Sequence, residues 1–299
     1  MPPTGTQFTI TSGPVTAVVT EVGAGLRALT VGERALVETF PEDVRPARGM
    51  GAVLLPWPNR TAGGRWTHGG AVQQLALTEP STGNAIHGLL RHVLYRAGEQ
   101  AADAITLHAV VPVQPGWPVP LDTSVRYAVD GKGLTVTHTV RNVGSGPVPF
   151  GVGAHPYLRA GDADTDACLL TVAASTSIPL DGGLPTGPAV PIPAALDLRS
   201  ERQVSELDLD HAFGGCAPAA DDTLVRHRLA APDGGVTELW AEPVFAFAQV
   251  FTPPTLVGRG RAVAVEPMTC PPDALNSGEG LVTIGPGETW TGSWGIRSA

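Results

Sequence analysis

The clearest pattern along the chain is a repeat of two residues. In residues 133–141 leucine, valine and histidine alternate with threonine and arginine, which predicts a strand with one buried face. Residues 124–129 alternate in the same way, and the turn-forming sequence Asp-Gly-Lys-Gly at 130–133 joins the two segments. A β-hairpin is therefore predicted here, and a second one at 225–230 and 236–241, around the turn at 232–235.

Further strands are predicted where short apolar or alternating runs lie between glycine and proline residues. These runs are residues 8–11, 15–20, 72–77, 105–111, 245–252, 262–266 and 289–296. One helical turn is predicted at 271–278, which starts with proline and ends at glycine. The pattern predicts a single all-β domain over residues 1–299, a large antiparallel β-sandwich with very little helix. Residues 175–195 and 217–222 are predicted to be long loops over it.

Composition and charge exclude several classes of protein. The formal net charge is −9 and no basic block is present, so we expect no nucleic-acid partner. No apolar run approaches the roughly 18 residues of a membrane helix, and the first ten residues do not resemble a signal peptide. We therefore expect a cytoplasmic protein without a membrane partner. The single lysine, Lys132, lies in a predicted turn, which argues against Schiff-base chemistry.

Cofactor and metal motifs are also missing from the sequence. The three cysteines form no Cys-x-x-Cys pair, and the sequence contains neither a dinucleotide fingerprint nor a phosphate loop. The eight histidines show no ligand spacing typical of zinc. We expect neither a cofactor nor a metal, and Cys270 is only a weak candidate nucleophile.

Two residues have side chains suited to acid/base chemistry in apolar surroundings. Glu266 follows four small apolar residues, where partial burial would raise its pKa towards that of a useful base. His155 lies between glycine-rich residues and Pro156, and an imidazole can accept or donate a proton near neutral pH. The alternatives are a strand-end glutamate that reaches solvent and a histidine with a structural hydrogen bond.

Three more residues are candidates for ligand binding. His87 stands against a glycine, Arg60 ends a rigid proline-containing loop, and Asp210 follows the sequence Leu-Asp-Leu. Each also has an ordinary explanation: a structural histidine, a surface ion pair and a solvated acidic face. Asp208 and Asp210, if extended, would share one face and suit calcium or sugar hydroxyls.

Five segments together resemble the signature segments of the aldose 1-epimerase (galactose mutarotase) family, in the same order. They are Asn59-Arg60, the Asn-Ala-Ile-His-Gly sequence at 84–88, residues 151–157 with their His-Pro-Tyr core, Asp210 to Phe213, and residues 265–276. The resemblance covers nearly the whole chain. It implies a β-sandwich of the galactose mutarotase type, in agreement with the strand pattern.

The resemblance also implies a reaction and a role for each residue. Glu266 would be the general base that removes the proton of the anomeric hydroxyl, and His155 the general acid that protonates the ring oxygen. Arg60, His87 and Asp210 would bind the sugar. The implied substrate is a free aldohexose such as glucose or galactose, and no cofactor is needed. Trp57 or Trp117 would then be available to stack on the sugar.

Two differences from the family pattern and three alternative functions concern the substrate. Leu89 follows Gly88 where many family members have another glycine, and Leu158-Arg159 replaces the frequent Phe-Asn. A sugar-6-phosphate 1-epimerase would use Arg259 and Arg261 as phosphate ligands, but the sequence shows no concentrated arginine set around the other pocket segments. A carbohydrate-binding protein would need neither acid nor base, and a glycosidase using Glu266 with Asp210 would leave His155 without a role.

Overall fold

The computed structural model describes residues 2–256 and 258–299 and consists mainly of strands. Met1 and Val257, which the predicted domain 1–299 includes, lie outside the described residues. In the first hundred residues the strands are β1 Gln7–Ser12, β2 Val15–Thr20, β3 Leu26–Val31, β4 Arg34–Ala35, β5 Val53–Leu54, β6 Arg60–Thr61, β7 Arg65–His68, β8 Ala71–Gln74, β9 Ala85–Ile86 and β10 Arg96–Gln100.

Longer strands dominate the middle and the end of the chain. They are interspersed with short ones, and in order they are β11 Ala104–Val111, β12 Leu121–Val129, β13 Gly133–Asn142, β14 Val148–Phe150, β15 Gly153–Ala154, β16 Tyr157–Leu158, β17 Leu169–Thr171, β18 Thr176–Ile178, β19 Leu180–Asp181, β20 Leu184–Pro185, β21 Val190–Pro191, β22 Arg202–Gln203, β23 Asp210–Gly214, β24 Val225–Ala230, β25 Val236–Ala241, β26 Phe247–Phe251, β27 Val263–Met268, β28 Val282–Ile284 and β29 Thr289–Ser298. The α-helix α1 spans Ala274–Ser277, within the predicted helical turn, and 3-10 turns occupy Ala62–Gly64, Thr165–Ala167, Ala194–Leu196 and Val204–Glu206.

Two large antiparallel sheets form the body of the fold. One has the strand order β10-β11-β12-β13-β29-β25-β24-β17-β22. The other has the order β21-β18-β23-β26-β27-β15-β5, with β16 also paired to β27. A third sheet, β1-β2-β3-β4, contacts β11, β12 and β13. The predicted all-β antiparallel class is confirmed, and both predicted hairpins form, as β12–β13 and β24–β25.

The core lies between the two large sheets. Alternation along β13 buries Leu134, Val136 and Val140, and a single buried cluster joins them to residues of β27 such as Val263 and Val265. Burial of each such side chain contributes about 1.5–3 kcal/mol, so these inner faces are the main source of stability. The outer face of the β26–β27 sheet is left for other contacts.

The prediction of a continuous loop at 175–195 was wrong. Four short strands, β18 to β21, lie there, and β18 pairs with β23 at the edge of the second sheet. Glycine and proline in this segment keep each strand to two or three residues, which hides the alternation in the sequence. Residues 217–222 contain no strand or helix. No helix among the described residues is long and apolar enough to cross a membrane.

Candidate active site

The floor of the site is the outer face of the second sheet. Successive side chains of a strand point to opposite faces, so β27 places Val265 in the core and Glu266 on the outer face. On β26 the same rule buries Val250 and turns Gln249 outward, directly opposite Glu266 in the ladder. Polar groups from neighbouring strands therefore meet on this outer face.

Strand register brings His155 to Glu266. Gly153 pairs with Met268 and Tyr157 pairs with Ala264. His155 lies midway between Gly153 and Tyr157, and it therefore stands opposite Glu266, which lies midway between Ala264 and Met268. His155 Nε2 lies 3.3 Å from Glu266 Oε1. The imidazole is also stacked on the Tyr157 ring, with centroids 5.0 Å apart. An imidazole and a carboxyl group from distant parts of the chain are thus held side by side.

His87 enters the same site from a strained turn. Both His87 and Asn59 have positive φ, 63° and 55°, which few side chains adopt without tertiary support. The Asn59 N–H donates to His87 Nδ1 at 3.2 Å, and the His87 N–H donates to the Asn59 carbonyl at 2.9 Å. This reciprocal pair sets the ring edge-on to His155, with centroids 5.5 Å apart. Because Nδ1 accepts, the neutral ring carries its proton on Nε2.

A short hydrogen-bond chain holds Asp210. Gln249 Nε2 donates to Asp210 Oδ1 at 2.6 Å, and Asn59 Nδ2 donates to Gln249 Oε1 at 3.1 Å. Asn59 Oδ1 in turn accepts from the Arg60 N–H at 2.8 Å. Gln249 and Asn59 are almost completely buried, so their amides are fixed in one orientation and Asp210 keeps its second oxygen for a ligand.

Arg60 is held by two hydrogen bonds to a single carboxylate. Its Nε and Nη2 donate to the two Glu79 oxygens at 2.7 and 2.9 Å. Burial alone would lower the pKa of Arg60, but the hydrogen bond and charge of Glu79 raise it, so the guanidinium stays charged. Its remaining Nη1 lies close to Gly183, where a side chain would collide with it.

These side chains line one cavity of about 520 Å³, the usual size of a small-molecule site. All five residues singled out in the sequence lie on it: Arg60, His87, His155, Asp210 and Glu266. Glu266, His155 and His87 are 2%, 5% and 8% exposed, so they form the buried end.

Burial shifts the pKa values of the acid/base pair in opposite directions. Desolvation, with a contribution from the charge of Asp210, raises the pKa of Glu266 well above its ordinary value. Desolvation lowers the pKa of His155 to about 3 and also lowers the pKa of His87 well below its usual range. Burial therefore favours the neutral form of both His155 and Glu266.

Two buried atoms of the pair have no hydrogen-bond partner among residues 2–256 and 258–299: His155 Nδ1 and Glu266 Oε2. Unpaired buried polar atoms are costly, so their presence in a cavity indicates a polar ligand. His87, His155 and Glu266 each offer one atom that could bind a metal ion, and these three atoms lie within 4.8 Å of one another. This spacing suits a metal ion as well as proton transfer.

Several residues of the cavity were missed in the sequence. Gln249 lies in a predicted strand, and its polar side chain between Phe247 and Phe251 was the available signal. Glu79 carried no such signal, because its position depends on the turn at 79–84. Three arginines line the mouth, Arg45, Arg48 and Arg91, which corrects the expectation that no arginine set surrounds the pocket.

Three other expectations were wrong. Trp57 and Trp117 do not line the cavity, because they are buried in the core, where Trp117 stacks on both Trp57 and Trp66. Arg259 and Arg261 pair elsewhere, with Glu38 at 3.4 Å and Asp166 at 2.6 Å. Burial raises the pKa of Cys270 to about 12, so its thiol is not an activated nucleophile.

Comparisons with known proteins found a matching family model and a similar chain. A family model described as aldose 1-epimerase matches residues 6–297. The uncharacterized protein YihR of Escherichia coli K12 is 31% identical over 287 residues, which cover 95% of this chain and 90% of YihR.

Two solved structures share the fold. A putative aldose 1-epimerase from E. coli K12 superimposes with a TM-score of 0.83 at 21% identity, covering 98% of this chain and 99% of that one. A GalM/aldose epimerase homologue from C. elegans gives a TM-score of 0.85 at 17% identity, with 98% of each chain covered.

Proposed function

Because this chain belongs to the aldose 1-epimerase family and is therefore an epimerase, we propose that it interconverts the α and β anomers of an aldohexose in the cavity lined by Glu266 and His155. The observation that carries the proposal is the 3.3 Å distance between His155 Nε2 and Glu266 Oε1 at the buried end of that cavity. A carboxylate and an imidazole placed side by side can serve two oxygens of one hemiacetal.

The reaction needs one proton removed and one delivered. Glu266 takes the proton from the anomeric hydroxyl while His155 gives a proton to the ring oxygen, and the bond between C1 and the ring oxygen breaks. The aldehyde then rotates about the C1–C2 bond, and the reverse transfers close the ring on the other face. Each positioned acid or base contributes about 10² to 10⁴ in rate.

The single proton of the pair matches this cycle. Burial favours the neutral forms of both groups, so we propose a resting state with the proton on Glu266 beside a neutral His155. Its transfer to His155 produces the anionic base and cationic acid that ring opening requires. Ring opening leaves Glu266 protonated and His155 neutral again, so no net proton enters or leaves the site.

The surrounding groups suit sugar hydroxyls. His87 presents an N–H, because its Nδ1 is occupied by Asn59, and Asp210 presents its second carboxylate oxygen as an acceptor. Arg60 retains the N–H groups that Glu79 does not use. Together with Glu266 these groups would fix which face of the ring meets the acid/base pair.

Polarimetry of freshly dissolved α-glucose and α-galactose tests the proposal. The Glu266→Gln and His155→Asn variants are each expected to lose about 10² to 10⁴ of the enzyme-dependent rate. Far-UV circular dichroism and the urea midpoint show whether each variant is folded. His108→Asn, a half-exposed histidine of β11 outside the site, is the matched control and is expected to keep the rate of the unmodified protein.

Two outcomes would contradict the proposal. Retention of the full rate in both folded variants would remove Glu266 and His155 from the chemistry. Release of reducing sugar from a glycoside, without faster anomer exchange, would instead indicate a glycosidase that uses Glu266 with Asp210.

A further inference from the structure

Three arginines without carboxylate partners surround the mouth of the cavity. Arg45 and Arg48 are exposed on the loop between β4 and β5, and the half-buried Arg91 lies on the loop between β9 and β10. All three line the cavity, together with His92. They come from two separate segments, so the tertiary fold gathers them.

This grouping is unusual for the chain. Most of its arginines pair with carboxylates, as Arg60 does with Glu79 and Arg261 with Asp166. Within residues 2–256 and 258–299, none of the three mouth arginines has a carboxylate oxygen within 4.0 Å. The protein has a formal charge of −9, so acidic partners are plentiful elsewhere on it. Unpaired guanidinium groups beside one cavity therefore indicate an anionic ligand.

Electrostatics shows that the charges of Arg45 and Arg91 act on the same space. Burial and the charge of Arg45 lower the pKa of Arg91, while the charge of Glu79 opposes them. Burial, followed by the charges of Arg91 and Arg45, lowers the pKa of His92. The guanidinium carbon of Arg48 lies 5.7 Å from the centre of the Phe251 ring, and Phe251 also lines the cavity. Repulsion among these cations would be relieved by a bound anion.

All three cations line the same cavity as His155, the residue assigned to the ring oxygen. Besides burial, the positive charge of Arg91 contributes to the lowered pKa of His155 and of His87. In a hexopyranose the ring oxygen is bonded to C5, and C5 carries C6. A group on C6 is therefore close to the ring oxygen, and a sugar whose ring oxygen meets His155 keeps C6 inside the cavity that Arg91 also lines.

We propose that the substrate of this enzyme is an aldohexose with an anionic group on C6, bound by Arg45, Arg48 and Arg91 at the mouth of the cavity. The proposal rests on the proposed anomer interconversion and specifies its substrate class. A phosphate, a sulfate or a carboxylate on C6 has the oxygens that guanidinium groups bind in pairs. His92 completes the polar rim.

The test compares enzyme-dependent anomer exchange for glucose, glucose 6-phosphate, glucose 6-sulfate and glucuronate. Exchange is followed by NMR magnetisation transfer between the anomeric protons, with the rate in buffer alone subtracted for each sugar. We expect kcat/KM for at least one charged sugar to exceed that for glucose by about 10-fold or more. The three charged sugars separate phosphate, sulfate and carboxylate recognition.

Arginine variants test which residues are responsible. Arg91→Gln and the double variant Arg45→Gln/Arg48→Gln are expected to lower the ratio of charged-sugar to glucose kcat/KM by roughly 10- to 100-fold. Arg91→Lys keeps the charge and is expected to recover part of the ratio. Arg126→Gln, an exposed arginine of β12 far from the cavity, is the matched control and should leave the ratio unchanged.

Ionic strength gives a second measurement that a structural effect would not reproduce. Raising it from about 0.02 M to about 0.5 M should lower kcat/KM for the charged sugar far more than for glucose, because salt screens exposed charges.

The outcomes separate this inference from the proposed function. If glucose exchange is catalysed and abolished by Glu266→Gln, but no charged sugar exceeds glucose, the substrate class is wrong and the reaction stands. An unchanged ratio in the arginine variants would likewise overturn the role of the cations. If none of the four sugars is exchanged faster than in buffer, the proposed function fails as well.

Discussion

Gly49→Ala tests whether the orientation of the His155 ring controls the rate. Gly49 has a φ of 73°, and a Cβ at this position would lie 2.7 Å from His155 Cδ2 and 3.2 Å from Nε2. The backbone that follows Gly49 is hydrogen-bonded to the backbone of His155 itself. The Gly51 N–H donates to the His155 carbonyl at 2.9 Å, and the His155 N–H donates to the Ala52 carbonyl at 3.0 Å.

The ring rather than the backbone must therefore move. An ordinary carbon–carbon contact is about 3.5 to 4.0 Å, so relief of the collision requires a displacement of about 1 Å. A misplacement of that size costs about 10²-fold in rate when the displaced group is an acid or a base. Alanine in the left-handed region adds about 1–2 kcal/mol of backbone strain, which lowers stability but does not by itself affect catalysis.

Gly32→Ala is the matched control. Gly32 also has positive φ, 59°, but an added Cβ there meets no atom within 4 Å. In urea unfolding both variants should lose about 1–2 kcal/mol from backbone strain, and Gly49→Ala should lose more because of the collision, whereas only Gly49→Ala should lose about 10²-fold in polarimetric kcat. Equal rates in the two folded variants would refute the argument that this contact positions the imidazole.

Three other perturbations follow from the buried polar groups. Gln249→Met removes two hydrogen bonds and leaves Asp210 without a buried donor, so it should lower stability by about 2–4 kcal/mol, measured by urea unfolding, and raise KM for the sugar. The His155 ring resonances in an NMR titration should not shift between pH 7.5 and pH 5, because burial lowers the pKa of that imidazole to about 3. Burial also lowers the pKa of His138 to about 3. Below pH 6.5 this histidine binds a proton in the unfolded chain but not in the folded protein, which should lower stability by about 2 kcal/mol at pH 5. The His138→Gln variant should not show that loss.

Each of these predictions has a contradicting result. Normal stability and normal KM in Gln249→Met would show that the amide chain does not hold Asp210. A shift of those resonances centred near pH 6.5 would show that His155 titrates as an exposed histidine does. Parallel stability curves between pH 7 and pH 5 for the unmodified protein and His138→Gln would rule out the buried imidazole as the source of acid sensitivity.

The strands with regular alternation could be predicted from the sequence. In β13 and in the β24–β25 hairpin, burial of every second residue and a glycine-containing turn determine the structure locally. The short strands β18 to β21 could not be predicted in this way. Each has only two or three residues, and partners from elsewhere in the chain, such as β23, stabilise them.

The chemistry of the site was visible in the sequence as residue types in unusual surroundings. Glu266 beside an apolar run and His155 among glycines indicated an acid and a base, because burying a titratable group costs free energy and such groups are commonly retained for function. The segments around them were specific enough to indicate the family. Neither observation gave a distance or a pKa.

Tertiary structure alone decided how these groups act together. The register of β15 and β16 against β27 sets His155 beside Glu266, and burial between packed strands shifts both pKa values. The arginine cluster also arises only in the fold, because Arg45 and Arg91 belong to different loops. Alternation and turns are local properties that a sequence carries by itself, whereas pairing across sheets, desolvation and electrostatic coupling depend on which distant segments become neighbours.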